Sequence, residues 1–207
     1  MTAMPAILSS VVDTVRRRVA RHRRRRAVAS AYDMAREIRP EIGDGGAILD
    51  IGCGKGYIAM HLAGLAHASV HGADIHAGPE APIPYTRLEG PGLPFDAASF
   101  SAVLLCYVLH HVPDPSALLG ETRRVLRPGG RLVIYEDIPT TWFDRLLARR
   151  HVSDWRTRAE GCSFLLLEAW KGILRSVGLR LLRARSLSRF RDWNHPIERA
   201  FLVAEKA

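Results

Sequence analysis

Apolar and polar positions follow two rhythms along this chain. Short, largely apolar runs stand at 47–49, 68–74, 100–105, 131–136, 179–186 and 199–205, and a weaker one lies near Tyr85-Thr86-Arg87-Leu88. Between several of them the spacing lengthens to that of a helix, over 30–41, 57–66, 116–126 after Pro115, and 164–177 before Gly178. Pro at a helix start and Gly just past a helix end are the expected punctuation. Strands alternating with helices of this length predict a single α/β domain with a mostly parallel sheet. One interval departs from the rhythm. Between Asp74 and Tyr85 the run IHAGPEAPIP carries three prolines, which leaves no room for a helix there.

Ahead of the domain, Ile7, Leu8, Val11, Val12, Val15 and Val19 recur at helical spacing, interleaved with Arg16-Arg17-Arg18 and Arg21-His22-Arg23-Arg24-Arg25-Arg26. Residues 1–29 therefore read as an N-terminal arm, and 30–207 as the domain. A basic amphipathic helix can lie on an anionic membrane or contact nucleic acid, and a charge run can also be a solvated, disordered arm.

Length fits one domain with a sizeable core: 207 residues. The net charge is +9, and only three of the thirty basic residues are lysine (Lys55, Lys171, Lys206). Coding bias and a need for arginine chemistry are equally good accounts of that. Cys53, Cys106 and Cys162 are odd in number and far apart, which suggests neither a disulfide framework nor a metal site. No apolar run approaches the eighteen or so residues of a spanning helix, and the start lacks a signal-peptide pattern. The expectation is a cytoplasmic protein, at most peripheral at the inner membrane surface.

The chemistry concentrates at Ile48-Leu49-Asp50-Ile51-Gly52-Cys53-Gly54-Lys55-Gly56, a strand that ends in an acid, then a glycine-rich turn before a helix. Glycines at alternate positions let backbone approach a ligand, and free N–H groups at the helix start favour an anionic group. A dinucleotide turn would place a third glycine where Tyr57 stands, and a triphosphate loop would follow Lys55 with Ser or Thr instead of Gly56. Neither pattern fits.

An acid followed by G-x-G-x-G at the end of a first strand resembles motif I of the class I S-adenosylmethionine (SAM) methyltransferases. The run LHHVPDPSALLGETRRVLRPGGRLVIYED, Leu109 to Asp137, resembles the same family closely, and the likeness covers about residues 30–206. It implies a Rossmann-like fold of seven strands in the order 3-2-1-4-5-7-6, the last pair an antiparallel hairpin, with helices on both faces. It implies SAM as cofactor, held by Asp50, Gly52, Cys53, Gly54 and Gly56. Asp74, ending the second strand eighteen residues beyond Gly56, becomes the expected ribose ligand, and Ile75 can pack on adenine. Glu89 and the backbone of Gly90 stand where an acid and an N–H meet the adenine edge in relatives, although the commoner residue is aspartate. The Cys106 carbonyl would accept from the cofactor's amino group. Tyr32 can lie over the cofactor or be an ordinary aromatic.

Adjacent His110 and His111 must face different ways, so at most one lines a cleft as a general base, and both can instead be structural. Residues 138–161, with Trp142, Phe143, His151 and Trp155, read as an insertion that caps the substrate. The stretch after the fourth strand is Cys-Tyr-Val-Leu, not the Asn- or Asp-Pro-Pro-aromatic run of enzymes that methylate exocyclic amino groups of nucleic acids, and no cysteine follows proline as cytosine C5 chemistry requires. The reading favoured is methyl transfer to an oxygen, nitrogen, carbon or sulfur of a small-molecule or lipid acceptor. An RNA methyltransferase that uses the arginine arm, and a SAM-binding module without turnover, are the alternatives.

Overall fold

A computed structural model describes residues 3–90, 92–147, 164–188 and 197–207, with side chains from residue 12 onward. His151, Trp155 and most of the expected capping insertion lie outside the described residues, as does Cys162.

The first element is a single helix, α1 (Ala3–Ile42), which passes through residues 29 and 30 without a break. At about 1.5 Å per residue it is about 60 Å long. Its two halves differ in what they bury. Every position from 12 to 27 is exposed, including Val12, Val15 and Val19. In the second half, Ala31, Ala35, Ile38 and Ile42 make one buried stripe at helical spacing. Packing on the domain begins before residue 30: Arg24 Nε donates to Tyr57 Oη at 3.1 Å, and His61 Nε2 lies 3.1 Å from the Val28 carbonyl. The last turn holds Pro40, and Gly43 follows at φ 74°, the left-handed conformation that ends a helix.

Seven strands follow: β1 (Ala47–Ile51), β2 (Ser69–Asp74), β3 (Tyr85–Arg87), β4 (Phe100–Cys106), β5 (Leu126–Asp137), β6 (Leu179–Leu187) and β7 (Arg199–Lys206). They form one sheet in the order β3-β2-β1-β4-β5-β7-β6, as expected. β1 pairs in parallel with β2 (Ile48 opposite Val70) and β4 (Ile48 opposite Ala102), while β7 runs antiparallel to β5 and β6. The central strands are buried on both faces, which explains why β4 reads as a continuous apolar run instead of an alternation.

α1 and α2 (Tyr57–Leu65) cover one face through Ile38, Leu62, Val133 and Phe201. The other face packs on α3 (Pro115–Val125) and α5 (Leu167–Ser176) through Leu105, Leu119, Trp170 and Leu174. α3 starts where Asp114 caps it, its side chain accepting from Ala117 N at 3.0 Å, with Pro115 at the first helical position. A further helix, α4, is described over 142–147.

Residues 75–84 contain no helix, in keeping with their prolines. Instead this segment straps across the start of α2, with Ala81 N donating to Lys55 O at 3.0 Å and Ala81 buried against Tyr57 and Ala31. Two boundaries differ from expectation. β5 begins at Leu126, because Arg127-Pro128-Gly129-Gly130 continues into the strand across a register shift opposite Phe100 and Ala102 instead of forming a separate turn. α5 starts at Leu167 and not Phe164, whose ring is stacked on His110 outside the helix.

Candidate active site

The turn from β1 to α2 depends on backbone geometry that glycine alone adopts cheaply. Gly52, Gly54 and Gly56 have φ of 70°, 52° and 76°, so alternate residues are left-handed. The turn is laced to the end of β2: Gly52 N donates to Ala73 O at 2.7 Å and Gly54 N to Asp74 Oδ2 at 2.8 Å. A Cβ at Gly56 would meet Ile83 and Pro79 at 2.9 Å, whereas one at Gly54 would meet nothing within 4 Å. Gly54 thus faces open space, where a ligand can touch the backbone.

Two acids stand beside it. Asp74 is fixed, with Oδ1 accepting from His76 N at 3.0 Å in addition to the bond from Gly54. Asp50 is buried, and its Oδ2 has no hydrogen-bond partner among the described residues. Burial first, then the Asp74 charge, pushes the Asp50 carboxyl up to about 7. A buried carboxylate oxygen without a donor is costly, so the arrangement calls for a ligand that brings a cation or an N–H. Cys53 is likewise pushed up to about 12, and burial holds the Cys106 thiol well above its usual range. Neither thiol is a thiolate nucleophile near neutral pH.

Asp50, Gly52, Cys53, Cys106 and Tyr107 line a cavity of about 310 Å³ whose opposite wall is α1, at Ser30, Ala31 and Met34. A larger cleft of about 820 Å³ lies between α1 and the β5–β7–β6 end of the sheet. Ser30, Met34 and Arg199 line both, so the two are neighbours.

The loop after β4 is held by a residue that the sequence reading passed over. Glu136, near the end of β5, is wholly buried; its Oε1 accepts from Val108 N and Leu109 N at 2.9 and 2.6 Å, and its Oε2 lies 2.5 Å from His110 Nδ1. Burial raises the Glu136 carboxyl, against the opposing influence of His110. His110 is buried on a short 3-10 turn (Leu109–His111), while His111 is half-buried. Neither is in the linings of the two cavities. Ser101 donates to Ala47 O at 2.9 Å.

The other expected residues are scattered. Ile75, Glu89 and Gly90 are exposed at the ends of β2 and β3, close to Asp74, whose carbonyl accepts from Leu88 N at 2.8 Å. Tyr32 points outward from α1 and meets the His61 ring edge-on, outside both cavity linings. Tyr107 (φ 61°) and Arg199 were also missed; Arg199 Nη1 donates to Tyr107 Oη at 3.3 Å. The signal for Glu136, an acid closing an apolar strand, is the same one that marked Asp50 and Asp74.

A family model described as a methyltransferase domain matches residues 20–184. The chain belongs to the methyltransferase-domain family. An uncharacterized methyltransferase from Mycobacterium sp. strain KMS is 37% identical over 113 residues, 52% of this chain and 44% of that protein. The chain therefore spans less than half the length of that curated relative. The 27-O-demethylrifamycin SV methyltransferase of Amycolatopsis mediterranei is 28% identical over 183 residues, 79% of this chain and 65% of the other. Among solved structures, a SAM-dependent methyltransferase from Methanosarcina mazei superposes with a TM-score of 0.66 at 21% identity, covering 82% of this chain and 96% of that one. The fold is that of the SAM-dependent enzymes, which implies SAM as the cofactor. The residues present suit it: Gly54 offers bare backbone, and the orphaned Asp50 oxygen can receive the cofactor's ammonium group.

Proposed function

We propose that the methyltransferase transfers a methyl group to a small-molecule or lipid acceptor bound in the larger cleft. The observation that carries this reading is the shared wall at Ser30, Met34 and Arg199, which makes the acceptor-sized space of about 820 Å³ adjoin the glycine-turn cavity. Ligand clefts of roughly 300–1,000 Å³ are of the size that encloses small organic molecules. The rifamycin relative, which acts on a small molecule by its name, supports the same class.

When bound, SAM supplies a methyl group already activated on a sulfonium sulfur. The chain's part is then mostly to bind and orient. Asp74 holds the ribose hydroxyls, Asp50 the ammonium group, and the backbone of Gly52, Cys53 and Gly54 the surrounding atoms, with Ile75, Glu89 and Gly90 toward the adenine and the Cys106 carbonyl beside the amino group. Alignment of this kind is worth roughly 7–11 kcal/mol of barrier. Where the acceptor is a hydroxyl, a proton must leave. Neither histidine lines the acceptor cleft, so we read the Glu136–His110 pair as fixing the loop after β4 instead of taking that proton.

Residues 1–29 would then serve as a basic arm for peripheral contact with an anionic membrane on the cytoplasmic side. Among the described residues no helix is long and apolar enough to cross one. Incubating the full chain with methyl-labelled SAM and extract separated into metabolite, lipid and RNA fractions tests the reading. Label in the metabolite or lipid fraction is expected, and label confined to RNA would overturn it.

A further inference from the structure

Arg199 is the most deeply buried arginine described, 5% exposed, at the first position of β7. Its side chain lies on the α1 face of the sheet with Phe201, at the boundary between the two cavities. Buried guanidinium groups are normally matched by a carboxylate, because an unpaired buried cation is costly. Even the neighbouring arginines that reach solvent are matched: Arg183 pairs with Glu41 at 2.9 Å and Arg185 with Glu37. Arg199 is not. Its described side-chain partner is the neutral Tyr107 hydroxyl, and Nε has no acceptor among the described residues. Asp137 stands opposite it in the β5–β7 ladder, yet no ion pair joins the two.

We propose that Arg199 is an anion-binding residue of the acceptor site, receiving a carboxylate or phosphate group of the methyl acceptor. The inference deepens the small-molecule reading and rests on it. Nε and the terminal nitrogens form a fork suited to two oxygens of one anionic group. The placement gives orientation as well as affinity, since among the described residues Arg199 is the one charged side chain to line both cavities. An acceptor anchored there by its anionic end lies in the larger cleft and reaches back past Tyr107 toward the glycine turn. The rest of the cleft favours the same charge, for among the described residues four further arginines, Arg26, Arg36, Arg183 and Arg185, line it against three carboxylates, Asp33, Glu37 and Glu41. Two of those carboxylates are engaged by Arg185 and Arg183.

The test uses the full chain saturated with S-adenosylhomocysteine, titrated by ligand-observed NMR with benzoate, inorganic phosphate and, as a neutral control, benzyl alcohol. Benzoate or phosphate is expected to bind the wild-type complex, with at least a tenfold loss in R199Q, partial retention in R199K, and no such dependence for benzyl alcohol. Whichever anion depends on Arg199 identifies the group as carboxylate or phosphate. Calorimetry of S-adenosylhomocysteine on each variant reports whether the fold and cofactor site survive. Equal anion binding in wild type and R199Q, or no anion binding to wild type, overturns the proposal. A tenfold or greater loss of S-adenosylhomocysteine affinity in R199Q, absent for its decarboxylated analogue, gives the guanidinium to the cofactor's own carboxylate and overturns it too. None of these outcomes depends on which extract fraction is methylated, so failure of the small-molecule reading is seen separately, as label in RNA.

Discussion

Glu136 and His110 form a pair sealed from solvent at the carboxyl edge of the sheet, Oε2 lying 2.5 Å from Nδ1 while Oε1 of the same carboxylate holds the backbone of Val108 and Leu109. One side chain thus fixes both the ring and the loop that carries it. Glu136→Gln keeps the shape but either turns an N–H toward Val108 and Leu109 or makes His110 Nδ1 an acceptor, and it removes the carboxylate charge, so a loss of about 2–4 kcal/mol in urea denaturation is expected. His110→Ala, at a ring that lines neither cavity, should lower stability and leave the single-turnover rate within about tenfold of wild type. A fall of about 10²-fold or more in that rate, with S-adenosylhomocysteine affinity intact, would instead make His110 a general base.

The raised carboxyl of Asp50 sets the pH dependence of cofactor binding. Near pH 7 about half of the unliganded protein carries this group protonated. A cationic amine favours the ionised form, so binding should release protons, and affinity should rise by about tenfold from pH 6 to pH 8. Calorimetry in buffers of different ionisation enthalpy measures the release. Stability without ligand has the opposite sign: a carboxyl raised on folding contributes below its unfolded value and loses that contribution as pH climbs through about 7. Asp50→Asn should therefore stabilise the unliganded protein at pH 8 by roughly 2–4 kcal/mol, fade toward pH 4, and abolish the pH dependence of binding. A flat affinity profile in the wild type would refute the assignment.

Gly54 and Gly56 separate binding from folding. Gly56→Ala places a methyl group 2.9 Å from Ile83 and Pro79, so thermal stability should fall well beyond the roughly 1–2 kcal/mol of a left-handed alanine. Gly54→Ala incurs only that backbone cost and should fold, yet lose cofactor affinity at least tenfold because its methyl group enters the ligand's space. Asp74→Ala should weaken binding by about 10- to 100-fold, since it removes a charged acceptor. Normal affinity in Gly54→Ala or Asp74→Ala would move the cofactor away from this turn.

Deleting residues 1–22 removes Arg16, Arg17, Arg18 and Arg21, half of the exposed arginine run, and spares Arg24, which bonds Tyr57 and Glu80. The truncated chain should keep its affinity for S-adenosylhomocysteine and bind anionic vesicles more weakly than the full chain, whose binding itself falls as salt rises. A full chain indifferent to such vesicles at low salt would leave the arm merely solvated.

Much of the sheet was legible because the strands of the buried centre are largely apolar runs, because Asp50 and Asp74 close two of them, and because Gly52, Gly54 and Gly56 sit where backbone geometry tolerates little else. The prolines of 75–84 spoke for themselves. Glu136 and Arg199 were harder for opposite reasons. Glu136 looks like any acid at a strand end until burial and its three partners are seen. Arg199 is one cation in an arginine-rich chain, and nothing in its neighbours Glu198 and Ala200 tells that it, unlike Arg180 one strand away, turns inward. The continuity of α1 across residue 30 was hidden by the change from an arginine-rich to an apolar-striped face, a change of surroundings along one unbroken helix.

The two margins of the sheet have a bearing on self-association. An exposed strand edge is a template on which another chain can add. β3 offers only Tyr85–Arg87, with Pro84 directly before it, so an incoming strand would find three residues and then a missing donor. β6 is longer, but its register slips between Leu181 and Arg183, and Arg180, Arg183 and Arg185 stud its length. Like charges would repel a second copy aligned there. A sheet guarded by shortness at one end and by charge and a bulge at the other resists growth by strand addition between molecules in crowded solution.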